Sequence, residues 1–349
     1  VITVVLPVHN GGRYLRECIE GLARQDAPPG SFDLVVLDNQ STDGSLDALH
    51  LLPDHVPRKV HPSDRLLPIE ENWARIRDLP DLRSFMTVTG HDDVFDAHFI
   101  RVTSEALRRA PDTSLLLTHF RLIDQDSRHI RPCRPMHATE SPAEFLAARF
   151  AGIRDSYGTG YVFASSKYRE AGGIPPLPRL IWADDVLWMT LARGSYTRIL
   201  EDQCFSYRLH SSSTQHVRDQ DVIVRALSGY LSFVEAEAAA DPSIARVLRV
   251  YGPTSVRQTA SVFLLEEANR GNQADEPARS EVLDAWHAVV RRADAFAEFS
   301  PEEPDSRELA FSLWANSSSM GRRLWRNRPA RRLLKAAFVR GLISNDQRQ

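Results

Sequence analysis

Apolar and polar positions divide the chain into two regimes. Up to about residue 215, short apolar runs rich in β-branched residues alternate with segments of helical spacing. Ile2–Val8 (ITVVLPV) is a continuous apolar run and predicts a strand buried on both faces. Arg13–Gln25 places Tyr14, Leu15, Ile19 and Leu22 on one face of a helix that stops before Ala27-Pro28-Pro29-Gly30. Phe32–Leu37 predicts a second strand, Ser41–Leu52 a capped turn and helix, Phe85–Thr89 another buried strand and Asp96–Arg109 a helix. Strand, crossover helix and strand in repetition predict an α/β fold, an open and mostly parallel sheet flanked by helices.

Beyond Ser213 the strand signals stop. Asp221–Ala240, Ser255–Asn269, Ser280–Phe299 and Asp305–Trp314 all have helical spacing. Breakers at Asp241-Pro242, Gly252-Pro253, Gly271 to Pro277 and Pro301 to Pro304 separate them. The expected organisation is a sheet domain over 1–215 and an appended all-α region over 216–349.

In an open parallel sheet, ligands bind beyond the carboxyl ends of the strands, so chemistry is sought there first. After the first strand come Pro7-Val8-His9-Asn10-Gly11-Gly12, and after the second Asp38-Asn39-Gln40-Ser41-Thr42-Asp43-Gly44-Ser45. The strand ending at Thr89 is followed by His91-Asp92-Asp93. An isolated acid in such a loop, Asp43 for example, is readily explained as a helix cap. Adjacent acids leaving a buried strand are different, because they repel unless a cation or donor groups offset them. A hard divalent cation held by one or two carboxylates, with phosphate oxygens completing its shell, suits this pattern. A second acidic pair, Asp184-Asp185, opens a helical stretch after Trp182. Capping explains one acid of that pair but does not need both.

Taken in order, VVLPVHNGGRYLRECIEGLARQ, LVVLDNQSTDGS and GHDDVFDAHFI resemble the inverting GT-A glycosyltransferases of family 2. The likeness continues through Gly158-Thr159-Gly160-Tyr161-Val162-Phe163, Ala171-Gly172-Gly173-Ile174-Pro175, Trp182-Ala183-Asp184-Asp185-Val186-Leu187-Trp188 and Tyr207-Arg208-Leu209-His210-Ser211-Ser212. It covers about residues 1–215 and leaves out the helical region.

The resemblance implies a GT-A, Rossmann-like sheet and transfer of a sugar from a UDP- or dTDP-type donor to an acceptor hydroxyl. Pro7, His9 and Asn10 then touch base and ribose, and Asp38 accepts a hydrogen bond from the pyrimidine N3–H. Asn72 lies beside the nucleotide, or else on a solvated helix face. His91-Asp92-Asp93 matches the family's Asp-x-Asp motif with His91 in place of the first acid. On that match Asp92 faces the ribose, while Asp93 binds Mn2+ or Mg2+, joined by the late His210. Asp185 is the expected general base, with Asp184 as the alternative. Such a base must come within about 3 Å of the acceptor oxygen. Tyr157, Trp182 and Trp188 flank the acids and offer faces to an acceptor, although core packing explains most aromatics equally well. The expected acceptor is a glycan, a lipid-linked sugar or a small molecule, in cell-envelope or natural-product glycoside synthesis.

Composition narrows the alternatives. With 42% apolar and 26% charged residues, the chain is not of the disordered class. A net charge of −3 provides no global attraction to nucleic acid. No apolar run approaches the roughly 18 residues of a membrane span, and three cysteines in no metal or redox spacing fit a reducing compartment, so a cytoplasmic location is expected. Arg322–Arg340 carries eight basic and no acidic residues interleaved with apolar ones. It reads either as peripheral contact with the inner membrane face or as a helix packed on the α region. Two other classes compete with transfer. A nucleotidyltransferase would need a Gly-rich basic loop after the first strand, where only Gly11, Gly12, Arg13 and Arg16 stand. A degenerate module with a binding or assembly role is favoured by His91 and opposed by Asp38, Asp93, Asp184 and Asp185.

Overall fold

The computed structural model describes residues 2–210, 219–269 and 276–297. In chain order the first elements are β1 (Ile2–Val8), α1 (Gly12–Ala23), β2 (Phe32–Asp38), β3 (Arg58–Pro62), α2 (Ile69–Ala74), β4 (Phe85–Val88), β5 (Val94–Phe95) and α3 (Phe99–Arg109). They continue with β6 (Leu115–Ile123), β7 (His129–Pro132), β8 (Thr139–Glu140), α4 (Pro142–Phe150), β9 (Tyr161–Ala164), α5 (Ser165–Glu170), α6 (Ala183–Leu191) and β10 (Thr197–Arg208). The helices α7 (Gln220–Ala240), α8 (Pro242–Asn269) and α9 (Glu276–Ala297) follow.

The strands form one sheet in the order β3-β2-β1-β4-β9-β6-β10-β5, with β7 on β6 and β8 on β10. β1 pairs in parallel with β2 and β4, β2 with β3, and β6 with β10. Only β9 interrupts the long strands, lying antiparallel between β4 and β6. Six strands therefore point the same way, and their carboxyl ends share one edge with the residues that precede β9. This is the mostly parallel sheet expected from the apolar runs, as the GT-A resemblance implies too.

β1 owes its place to its composition. All seven of its residues are buried, and it lies between β2 and β4. Each such aliphatic side chain contributes about 1.5–3 kcal/mol on burial. α1 turns Leu15, Cys18, Ile19 and Leu22 inward. Where α1 crosses β5, Gly21 lets the helix approach, because a Cβ there would lie 2.8 Å from the Phe95 carbonyl oxygen.

Several elements differ from expectation for identifiable reasons. Of the capped turn and helix expected over Ser41–Leu52, the helical part is a 3-10 turn over Ser45–Leu51, entered through Gly44 at φ +74, with the Ser45 N–H donated to Asp43 Oδ1 at 3.0 Å. The helix expected from Asp96 begins at Phe99, because the Asp96 N–H is engaged by the Cys204 carbonyl. Gly252-Pro253 does not end a helix, and α8 runs through Pro253. There the bare Cα of Gly252 faces Leu248 and Phe296 of α9. The chain divides into two compact units, one of Val1–Phe145 with Ser156–Phe233, the other of Leu146–Asp155 with the chain from Val234 on. That division falls inside α7 rather than at residue 215. Asp305–Trp314, Ser211–Ser213 and Arg322–Arg340 lie outside the described residues. Among the described residues no helix is long and apolar enough to cross a membrane.

Gly160, just before β9, has φ +91, and a Cβ there would overlap the buried Phe205 ring. Phe205 cannot yield, because it stacks on Phe120 at 4.8 Å and meets Phe95 edge-on at 6.4 Å. Gly160→Ala is expected to cost about 3 kcal/mol or more in urea unfolding, whereas a loss under about 0.5 kcal/mol would contradict this packing.

Candidate active site

Two sets of loops converge on the shared edge of the sheet. The first joins the ends of β1 and β2. Pro7 is buried within β1 beside Leu37, and the chain leaves the strand at His9 and Asn10, both exposed. His9 Nδ1 lies 2.8 Å from the Asn39 carbonyl oxygen. Asn10, in the left-handed region at φ +49, donates its N–H to Ser41 Oγ at 3.0 Å and accepts the Thr42 N–H at 2.8 Å. Asp38 is 8% exposed, and its Oδ1 accepts the Ser41 N–H at 3.1 Å. It is thus an oriented acceptor at a strand end. Behind it, Arg75 donates to the Asn72 side-chain oxygen at 2.9 Å and to the carbonyls of Asp38, His61 and Pro62 at 3.4, 2.6 and 2.9 Å. Asn72 is buried, so it is not on a solvated face, and it orients Arg75.

The second set joins the ends of β4 and β10 with the residues before β9. Its two acids have different surroundings. Asp93 is 2% exposed, and both of its oxygens are engaged: Oδ1 accepts the Arg208 N–H at 2.9 Å, Oδ2 the Thr159 hydroxyl at 2.5 Å. Burial, with the Asp92 charge adding to it, raises the Asp93 pKa well above the ordinary value. Asp92 lies 2.7 Å from His210 through Oδ2 and Nε2. Burial works to raise its pKa too, but the His210 hydrogen bond and the neighbouring His91 and His210 outweigh it, and the net shift is downward. His91 sits against the β1–α1 loop at Gly11.

Arg208 holds this second set together. Its side chain has no exposed surface, yet each of its three nitrogens has a partner. It donates to the Asp92 carbonyl at 2.7 Å, Ser127 Oγ at 2.8 Å, the Asp124 carbonyl at 3.3 Å and Glu17 Oε2 at 2.6 Å. Its guanidinium carbon lies 4.6 Å from the centre of the Tyr14 ring.

The third group is the start of α6. Asp185 is 1% exposed, and its N–H donates to Asp184 Oδ1 at 3.0 Å, while Asp184 is the more exposed of the two. The turn before α6 is fastened to α2 by the Arg179 N–H on Glu70. Trp182, at φ +60, stacks near-parallel on Tyr230 at 6.0 Å, and half-buried Tyr157 stacks on Tyr207 at 3.6 Å.

Residues 3–61 match the family model described as "Glycosyl transferase family 2". The match takes in β1, α1 and β2 and the loops that leave them. It is 37% identical over 49 residues to a poly(ribitol-phosphate) beta-glucosyltransferase of Bacillus spizizenii, a stretch covering 14% of this chain and 8% of that one. It is 21% identical over 218 residues to an uncharacterized glycosyltransferase of Nostoc sp., covering 61% of this chain and 66% of the relative. The aligned parts thus span less than two thirds of either relative. Crystal structures of S. aureus TarS share the fold. One matches with a TM-score of 0.60 at 13% identity over 96% of this chain and 55% of TarS. TarS residues 1–349 in complex with UDP-GlcNAc match with a TM-score of 0.55 at 13% identity, over 97% and 92%.

The surroundings of Asp92 and Asp93 bear on two of the expected roles. Asp93 was expected to bind the metal and Asp92 to face the ribose. Asp93 points inward, each of its oxygens accepting one hydrogen bond, and Asp92 turns toward His210. Among the described residues no three His, Cys, Asp or Glu side chains gather into a complete metal site, so the remaining ligands of any cation would come from elsewhere, as phosphate oxygens commonly do. Trp188, expected at the acceptor, is 3% exposed and packs on Tyr161 at 4.0 Å and Phe163 at 5.6 Å. It is a core residue. Thr159 and Glu17 lie in stretches of family likeness that assigned them no role, and Arg75 lies in none, so only their contacts give them a place in the site.

A carboxyl with a raised pKa retains its proton in the folded state at pH values where the unfolded chain has lost it. Stability from Asp93 is therefore greatest near the unfolded value of 3.8 and falls as pH rises toward the folded one. In metal-free protein, urea unfolding at about pH 5 and about pH 8 should show a smaller decline for Asp93→Asn than for the wild type. Equal declines would place the pH dependence elsewhere.

Proposed function

We propose that the chain transfers a sugar from a uridine-type nucleoside diphosphate sugar to an acceptor hydroxyl, with inversion at the anomeric carbon. The observation that carries this reading is the joint placement of the oriented Asp38 acceptor and the Asp92–His210 pair on one sheet edge. A pyrimidine base donating N3–H to Asp38 would direct its diphosphate toward Asp92 and His210. TarS, which shares this fold, has been crystallised with UDP-GlcNAc and with UDP, and the Bacillus relative is named for glucosyl transfer to a polyol-phosphate polymer. The first supports a nucleotide-sugar donor, and the second supports a polyol-phosphate polymer as acceptor.

Each residue then has a physical task. His9 and Asn10, fixed by Asn39, Ser41 and Thr42, line the ribose side. Asp92 and His210 would hold Mn2+ or Mg2+, which when bound neutralises charge on the departing diphosphate. Asp185 takes the acceptor proton as that oxygen attacks the anomeric carbon and the bond to the diphosphate breaks on the opposite side. Tyr157 and Trp182 remain as acceptor-side faces. Nucleotidyl transfer is disfavoured because Arg13, a basic residue of the first loop, is tied to the Gln125 carbonyl at 2.6 Å and to Asp126.

UDP with Mn2+ is expected to raise the melting temperature, since a ligand that binds only the folded state stabilises it. With UDP-sugar and acceptor, Asp185→Asn should lower kcat by about 10²–10⁴ while leaving UDP affinity nearly unchanged. Asp184→Asn should have a much smaller effect. The reverse pattern would move the base to Asp184, and no melting shift with any pyrimidine diphosphate would remove the transferase reading.

A further inference from the structure

The loop after β2 carries a second acid, Asp43. It is exposed, yet both of its oxygens are engaged. Oδ1 accepts the Ser45 N–H and Oδ2 the Gly12 N–H, each at 3.0 Å. The first bond closes the turn that follows β2, and the second satisfies the opening N–H of α1, 31 residues away. α1 has no acid in its own first turn, so Asp43 supplies the negative charge that a helix N-terminus favours. The Ser45 hydroxyl leads the hydrogen bonds that outweigh burial and hold the Asp43 carboxyl below its ordinary value.

Two neighbouring contacts run the same way. The Asn10 N–H donates to Ser41 Oγ at 3.0 Å and the Gly11 N–H to Ser45 Oγ at 3.2 Å. Three successive N–H groups of the first loop are thus received by side chains of the second, with positive φ at Asn10 (+49) and Gly12 (+51). Of the three acceptors only Asp43 carries a charge, and charge-assisted hydrogen bonds are roughly twice as strong as neutral ones.

We propose that Asp43 is a positioning residue for the nucleotide donor: by bridging the turn after β2 and the start of α1, it locks the loop of His9 and Asn10 to the loop of Asp38. This rests on the transferase reading for its purpose. Asp38 accepts the Ser41 N–H and Ser41 accepts the Asn10 N–H, so the acceptor for the base and the loop for the ribose belong to one linked frame. Base and ribose then meet two walls at a fixed spacing. The Asp43 carboxylate also occupies the place that a phosphate takes at such helix ends, which leaves the diphosphate to the second loop set.

The test is calorimetry of UDP binding to the full-length protein, well below its melting temperature, with donor KM and kcat measured for UDP-glucose and UDP-GlcNAc. An amide has one acceptor oxygen, so Asp43→Asn breaks the bridge as Asp43→Ala does. Each should weaken UDP binding about tenfold, and the loss in turnover should fall on KM, with kcat within about twofold of the wild type. Asp47→Asn removes the same charge from the same turn and should leave UDP affinity within about twofold. Where the alanine variant fails to fold, the asparagine variant decides, and where neither sugar is turned over, calorimetry decides. Unchanged UDP affinity in the Asp43 variants, an equal loss in Asp47→Asn, or a loss confined to kcat would each overturn the proposal while leaving the transferase reading in place. No UDP binding by the wild type would overturn both.

Discussion

A guanidinium sealed from water is tolerable only if its charge and its donors are matched, and removing one partner of such a charge costs about 3–5 kcal/mol. Arg208 meets that condition by drawing together parts of the chain far apart in sequence. Glu17 comes from α1, Asp124 and Ser127 from the turn between β6 and β7, and Asp92 from the end of β4. Its backbone N–H binds Asp93 as well. The requirement of one buried charge thus sets where three loops meet the sheet edge, and those loops supply the second half of the candidate site.

The division of labour between Asp92 and Asp93 follows from the same arrangement. Two neighbouring carboxylates at a strand end cannot both remain charged and buried without a cation between them. Here one turns inward, is satisfied by Thr159 and Arg208, and has its pKa pushed up. The other turns to His210 and stays readily ionised. One acid shapes the loop, and the other keeps a charge for a ligand.

Much of the sheet could be read directly from the sequence. β1, β2 and β4 are short, mostly apolar and largely buried runs, and their polar followers mark the edge of the site. The other half was harder. β3 (RKVHP) is an edge strand with no apolar run, and β10 carries polar residues throughout, with register shifts around Leu200 to Phe205. Which acid of the 92–93 pair faces inward depends on Thr159 and Arg208, which lie 66 and 115 residues further along the chain. No local pattern encodes such contacts. Trp188 shows the same limit from the other side, because its position next to the acids suggested a ligand face while its packing on Tyr161 makes it core. Asp38 needed less information, since a carboxylate at the end of a buried parallel strand is already placed by the strand.

The central claim is that the cation site lies between Asp92 and His210 and excludes Asp93. Anomalous diffraction at the manganese edge, from crystals grown with UDP and Mn2+, addresses it directly. The account predicts a single peak bounded by the Asp92 carboxylate, His210 Nε2 and diphosphate oxygens, with Asp93 still bound to Thr159 and the Arg208 N–H. A peak coordinated by Asp93, or bound UDP with no manganese near Asp92 and His210, would contradict it.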